Sequence, residues 1–198
     1  MNPWESRFAQ QNYVYGTEPN QFIKEHIHFL NQGKEIAAYA EGEGRNAVFL
    51  AKNGYNVTTY DYAKTGIEKT LRLAEEHQVQ LSTKLVDLIE QPLLEDTYDG
   101  AILVFGHFPK TEQFHVLNKI MASLKTDGVL MMEVYEEQQL AYKTGGPPDL
   151  DWLYNAEEVL KWAKSFRLKY FYVGEAERIE GELHNGLAYV VQVIVEKK

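Results

Sequence analysis

The sequence predicts an α/β fold: a parallel sheet with helices on both faces, completed by an antiparallel hairpin. Three observations point there. From Glu35 to Tyr135, short β-rich runs alternate with amphipathic stretches across short connections. A glycine-rich turn, Gly42-Glu43-Gly44, follows the first of these runs and precedes a helical one. Near the end, two strand-like runs flank GELHNG, a hairpin tip in which Gly186 suits a positive φ.

The elements follow in order. The first nineteen residues are rich in aromatics (Trp4, Phe8, Tyr13, Tyr15) and end in GTEPN. Pro19 restricts the residue before it, so a helix is expected from near Asn20 through Phe22, Ile23, Ile27 and Leu30. EIAAYA reads as a buried strand. Ala47 to Asn53 has helical spacing and stops at Gly54, a natural residue for the position after a helix. NVTTYD is β-branched, and IEKTLRLAEEHQ places Ile67, Leu71 and Ala74 on one helical face. LSTKLVD and the strongly apolar YDGAILVFG are the next strands. TEQFHVLNKIMASLKTDG carries Phe114, Leu117, Ile120, Met121 and Leu124 at helical spacing and is expected to close on Gly128. VLMMEVY is the fifth strand. A loop containing GGPPD leads to a helix from about Asn155 to Phe166, and LKYFYVGEAERIE and LAYVVQVIVEK form the hairpin.

Composition narrows the function classes. The chain has 198 residues and 44% apolar content, enough for one well-cored domain spanning 1–198. With no cysteine it has no disulfide, thiolate metal site or cysteine nucleophile, which fits a reducing, cytoplasmic setting. MNPWESRFAQQNYVYG lacks the apolar stretch of a signal peptide, and no run approaches the roughly 18 apolar residues of a membrane span. A net charge of -9 disfavours a broad phosphate-binding surface, so nucleic acid is not expected as a partner.

Gly42, Gly44 and Ala47 fit G-x-G-x-x-G/A between a strand and a helix, and Asp61 ends the next strand. Such a turn lets a ligand approach backbone and free helix N–H groups, or serves only as a tight, glycine-packed connection. A dinucleotide would lay its pyrophosphate there. Glu41 and Glu43 flank Gly42, and each would repel phosphate at contact by about 1 to 4 kcal/mol, depending on the effective dielectric. S-adenosylmethionine carries no phosphate but a sulfonium and an ammonium against one carboxylate, so an acidic turn favours it. Asp61 is placed to accept the ribose hydroxyls. Asp87, in LVDL, is placed for the adenine amino group with Leu88 beside it, or is a solvated turn residue.

AEGEGRNAVFLAKNGYNVTTYD, followed by LVD, YDGAILVFG and DGVLMMEVY, resembles the class I S-adenosylmethionine-dependent methyltransferases, with the nearest likeness to the small tellurite-resistance and thiopurine (thiol) methyltransferase-like group. The likeness runs from about Trp4 to the C-terminus and includes W-x-x-R-F, YVYGTEPNQF and GEGRNA. It implies a three-layer, Rossmann-like seven-stranded sheet in the order 3-2-1-4-5-7-6 with strand 7 antiparallel, a core over 34–198, and an N-terminal lid segment and helix over 1–30. It implies that Glu41, Gly42 and Gly44 line the methionine part of the donor, with Glu43, Asn46 and Tyr62 also among the donor-binding residues. Asp61 would hold the ribose, Asp87 the adenine with Leu88 beside it, and Phe105 and Gly106 would face the reactive methyl. The family's strand-one motif, D-L-G-C-G, is changed here: Ala38 and Ala40 replace its aspartate and first glycine, and Glu41 its cysteine. Either Glu41 takes over toward the donor's amino group or the donor binds more weakly.

Methyl transfer needs an aligned nucleophile and exclusion of water, with a base only for a protonated acceptor. Three places are candidates for the acceptor side. His107, in FGHFP, could take a proton or simply pack in its loop. Arg178 and His184 of the hairpin could hold an anionic acceptor, or be solvated. Tyr13 and Tyr15, with Arg7, suit a lid over the donor or an anchor for the chain end. His26 and His28 are two residues apart and build no metal site. The sequence therefore points to a methyltransferase for a small molecule such as a thiol or a chalcogen oxyanion like tellurite, soft nucleophiles that need no fixed base. A non-catalytic S-adenosylmethionine sensor and an NAD-dependent oxidoreductase are the rivals.

Overall fold

The computed structural model describes residues 3–30, 33–181 and 184–198. Among them, seven strands form one sheet: β1 (Glu35–Tyr39), β2 (Asn56–Asp61), β3 (Ser82–Leu85), β4 (Tyr98–Val104), β5 (Leu124–Tyr135), β6 (Arg167–Glu180) and β7 (His184–Glu196). The order is β3-β2-β1-β4-β5-β7-β6. β1 to β5 pair in parallel, whereas β7 runs antiparallel to both β5 and β6. Seven helices surround it: α1 (Pro3–Phe8), α2 (Gln21–His26), α3 (Arg45–Lys52), α4 (Lys64–Glu76), α5 (Lys110–Ser123), the short α6 (Gln139–Tyr142) and α7 (Ala156–Ala163).

Alternation along the central strands feeds two apolar layers, as the two-residue period of a strand buried on both faces requires. Ala37, Tyr39, Leu103 and Met132 pack with Leu117 and Ile120 of α5 and Val159 of α7. Ile36, Ala38, Ile102 and Met131 pack on the opposite face with Phe22 and Ile23 of α2 and Leu50 of α3. α4 closes against α3 through Val48, Leu73 and Ala74. Among the described residues, no helix is long and apolar enough to cross a membrane.

Helix ends follow local chemistry. Asn20 caps α2 by accepting the Ile23 N–H at 3.2 Å, and Asn155 caps α7 through the N–H groups of Glu157 and Glu158. The expected end of α5 at Gly128 is corrected. The helix stops at Ser123, whose hydroxyl donates to the Ile120 carbonyl at 2.6 Å and accepts from Tyr39 Oη at 2.7 Å. Leu124 continues the helical spacing in the sequence but pairs with Tyr98 as the first residue of β5.

The segment between α1 and α2 is strapped down. Glu5 accepts the N–H groups of Lys64 and Thr65 at the start of α4, and these bonds, led by those from Thr65, hold its carboxyl below the usual range. The strap then crosses the hairpin tip at two glycines, Gly16 and Gly181, both at positive φ. A Cβ on Gly181 would lie 2.4 Å from the Val14 carbonyl oxygen, so only glycine permits the crossing. Gly181→Ala is expected to cost at least about 1 to 2 kcal/mol from the left-handed backbone alone, read by urea denaturation. An unchanged midpoint would show that the strap does not rest on the tip.

Candidate donor and acceptor site

A cavity of about 650 Å³ lies at the carboxyl ends of β1, β2 and β4, where the chain leaves the sheet at Ala40, Asp61 and Phe105. This is where open parallel sheets receive ligands. Two outer segments complete it: Trp4, Arg7, Phe8 and Tyr15 from the strap side, and Gly146 to Asp149 with Trp152 from the loop after α6.

The floor is the turn from β1 into α3. Ala40, where the resembled family has glycine, adopts φ +50. The N-cap of α3 is Gly44, which has no side chain to satisfy the first N–H groups, and Glu41 does so instead: its Oε1 accepts from Ala47 N at 2.7 Å. Glu41 is 8% exposed. Burial pushes its carboxyl up to about 7, against the opposing pull of that N–H and of Arg45. Asp61 ties the end of β2 to the same turn, its Oδ2 accepting from Gly42 N and its Oδ1 from Ala63 N, both at 2.8 Å. Burial raises its carboxyl also, opposed by these backbone bonds.

The two glutamates of the turn differ in a way the sequence does not show. Glu43 is compensated by Lys69 of α4 at 2.7 Å and accepts Tyr15 N at 3.2 Å, so it anchors the strap and presents no free negative charge. Phosphate is disfavoured chiefly because the Glu41 carboxyl already occupies the N-terminus of α3. The expectation of two repelling carboxylates is corrected to one.

At the end of β4, Phe105 takes φ +53 and its ring stacks on Tyr135 at 4.4 Å. His107 lies parallel to the same tyrosine ring at 5.7 Å. Tyr154 Oη donates to the Gly106 carbonyl at 3.0 Å and fixes this bend. Asp87 accepts the Ile89 N–H at 2.9 Å, and Leu88 is buried.

Of the residues selected from sequence, Tyr15, Glu41, Gly42, Glu43, Asn46, Asp61, Tyr62, Asp87, Leu88, Phe105, Gly106 and His107 line this one cavity. Three others stand elsewhere. Gly44 packs against Thr70, which a Cβ would meet at 2.6 Å. Tyr13 reaches α4, its hydroxyl donating to the Lys69 carbonyl at 3.3 Å. Arg178 is 3% exposed and pairs with Glu133 at 2.7 Å beneath Phe105, so it is neither solvated nor turned to a ligand. His184 opens β7, and its side chain lies outside the described residues, as do Glu182 and Leu183 of the hairpin tip.

The sequence reading missed the wall formed by Trp152 and the Gly146–Asp149 loop, for which GGPPD, a stiff loop near a tryptophan, was the available signal, whereas Trp4 and Phe8 belong to the N-terminal segment it expected over the donor. It also missed a buried polar cluster. Asn20 donates to Glu133 Oε1 at 2.7 Å and to Glu180 Oε1 at 3.1 Å, Arg45 donates to Glu180 at 2.6 Å, and Gln192 donates to Glu133 Oε2 at 2.5 Å. Among the described residues, no group of three or more His, Asp or Glu side chains is arranged to hold a metal ion.

A family model described as "Methyltransferase domain" matches residues 36–128, which hold the turn, Asp61, Asp87 and the β4 bend. Solved structures agree in fold with this chain. TehB from Haemophilus influenzae superposes with a TM-score of 0.76 at 14% identity, over 98% of this chain and 66% of that one. A SAM-dependent methyltransferase from Methanosarcina mazei gives 0.71 at 15% identity, over 91% and 98% of the two chains. The magnesium protoporphyrin IX methyltransferase of Synechocystis PCC 6803 with bound SAM gives 0.68 at 14% identity, over 100% and 93%. No curated protein sequence matches the chain. The seven-stranded order with its antiparallel β7 is thus the Rossmann-like methyltransferase fold.

Proposed function

We propose that this protein transfers a methyl group from S-adenosylmethionine to a small soft nucleophile, a thiol or a reduced chalcogen oxyanion such as tellurite. The observation that carries the reading is one cavity in which Asp61, at the end of β2, and Glu41, across the start of α3, converge, both within the residues that match the methyltransferase family model. The residues present fit the donor. Glu41 closes the helix N-terminus that a pyrophosphate would use, while the cavity lies in the 300–1,000 Å³ range usual for small ligands.

S-adenosylmethionine supplies a methyl carbon already activated by its sulfonium. This chain binds and orients. Asp61 accepts the ribose hydroxyls with the lone pairs left by Gly42 and Ala63; Asp87 and Leu88 flank the adenine; Gly42 and Asn46 border the methionine part. Phe105 and Gly106, rigid through Tyr135 and Tyr154, shape the floor where acceptor and donor meet. Trp4, Phe8 and Tyr15 exclude water from above, which favours displacement over hydrolysis. His107 takes the proton of an acceptor that arrives protonated.

The test is a transfer assay with methyl-labelled donor across thiols, tellurite, selenite and metabolite acids. Label is expected in a thiol or chalcogen product. Donor binding without transfer to any of them would favour the sensing role that the altered strand-one motif raises.

A further inference from the structure

Residues 86–97, between β3 and β4, carry neither helix nor strand, yet Val86, Asp87, Leu88 and Ile89 line the cavity. An irregular connection of this length needs its buried main-chain groups satisfied by side chains. Val86 N donates to the Asp61 carbonyl at 2.9 Å and ties the loop to β2. The next N–H groups are served from within the loop. Asp87 Oδ1 accepts from Ile89 N at 2.9 Å and Glu90 N at 3.4 Å, and Gln91 Oε1 accepts from Asp87 N at 2.8 Å. The carbonyls are served from outside it. Lys119 of α5 donates through Nζ to the carbonyls of Leu88 at 2.7 Å, Ile89 at 3.2 Å and Gln91 at 2.5 Å. An ammonium has three N–H donors and no acceptor, so these carbonyls exhaust it. Nearby lysines behave otherwise: Lys110 pairs with Glu137 and Lys125 with Asp99. The Asp87 and Glu90 carboxylates attract Lys119 only at longer range.

We propose that Lys119 is a positioning residue for the donor's purine: from behind the cavity wall it fixes the backbone of residues 88–91, so that Asp87 and Leu88 meet the ligand in one arrangement. The inference rests on the reading of the cavity as the donor site, and it adds a residue that does not itself line that cavity. Apolar burial alone does not do this. Leu88 is 5% exposed, and Val86 and Ile89 pack on the same core layer, which holds the loop against α5 but leaves its peptide planes free to turn. Three carbonyls gathered on one ammonium fix those planes. Without the ammonium the carbonyls must find water, and the loop takes other arrangements. Donor affinity then falls by the fraction of molecules that keep the competent one.

Lys119→Met keeps the apolar stem and removes the charge. In the free protein, hydrogen exchange is expected to quicken within residues 86–97 and to stay as it was in α5 and β4. Calorimetry with S-adenosylhomocysteine is expected to show binding about tenfold weaker than in the unaltered protein. S-inosylhomocysteine, which differs only in carrying a carbonyl in place of the purine amino group, is measured by competition. Its affinity is expected to change little, so that the preference for the adenine compound shrinks. Unchanged S-adenosylhomocysteine affinity in Lys119→Met would overturn the proposal. So would an equal weakening of both compounds, or exchange that quickens throughout α5 and β4, because Lys119 would then only support the core. Failure of the unaltered protein to bind S-adenosylhomocysteine would instead overturn the donor site, while the exchange of residues 86–97 would still report whether Lys119 holds the loop.

Discussion

Arg178→Met is expected to destabilise the protein by about 3 to 5 kcal/mol, the usual consequence of leaving a buried charge without its partner. Arg178 and Glu133 have side chains 3% and 0% exposed and stand 2.7 Å apart. Glu133 also receives hydrogen bonds from Asn20 and Gln192, so it joins the strap, β5 and β7. Burial already raises the Glu133 carboxyl, with Arg178 the chief opposing influence. Without the guanidinium the carboxyl rises further. A raised carboxyl means that the folded state binds more protons than the unfolded one above the ordinary glutamate range, so folding weakens as pH rises through that window. The deficit of the variant should therefore be smallest near pH 5 and grow toward pH 8. Adding Glu133→Gln should recover part of the loss, because an amide needs no counter-charge. Urea denaturation of the two variants across pH measures this. A deficit under about 1 kcal/mol, the range of an exposed pair, would show that the pair is solvated.

Asp61→Ala is the second large effect, on donor affinity rather than on folding. The carboxylate fixes the Gly42 and Ala63 N–H groups and offers its remaining lone pairs to the ribose. Loss of charge-assisted hydrogen bonds of this kind costs about 1.5 to 3 kcal/mol, which is roughly 10- to 150-fold in dissociation constant. Asp61→Asn, which keeps the shape and one acceptor oxygen, should fall between the two. Calorimetry with S-adenosylhomocysteine decides it, and an unchanged affinity for Asp61→Ala would place the donor elsewhere.

Much of this was legible in the sequence because it depends on local pattern. Strands alternating with amphipathic runs gave the layers, Asp61 at the end of NVTTYD gave one ligand-facing acid, and GELHNG gave the antiparallel finish. The rest depends on which distant residues meet. Arg178 lies in GEAERIE, where charge on both sides suggests solvent, and only the fold brings it against Glu133, forty-five positions earlier in an apolar strand. An acid inside LMMEVY and a glutamine inside VVQVIV were signals that the core holds a polar cluster, since neither is buried without a partner. Glu41 and Glu43 look alike on the page of the sequence. Lys69 neutralises one and leaves the other to the cavity. Leu124 misled for a related reason: its spacing fits α5, but Ser123 ends that helix through bonds to Ile120 and Tyr39, and the second of these is non-local.

A calorimetric titration of the intact protein with S-adenosylhomocysteine, and separately with NAD, tests the central claim that the Glu41-capped turn takes a cationic, phosphate-free nucleoside. The expected result is saturable binding of S-adenosylhomocysteine at one site per chain and no heat from NAD. NAD binding tighter than S-adenosylhomocysteine would contradict it.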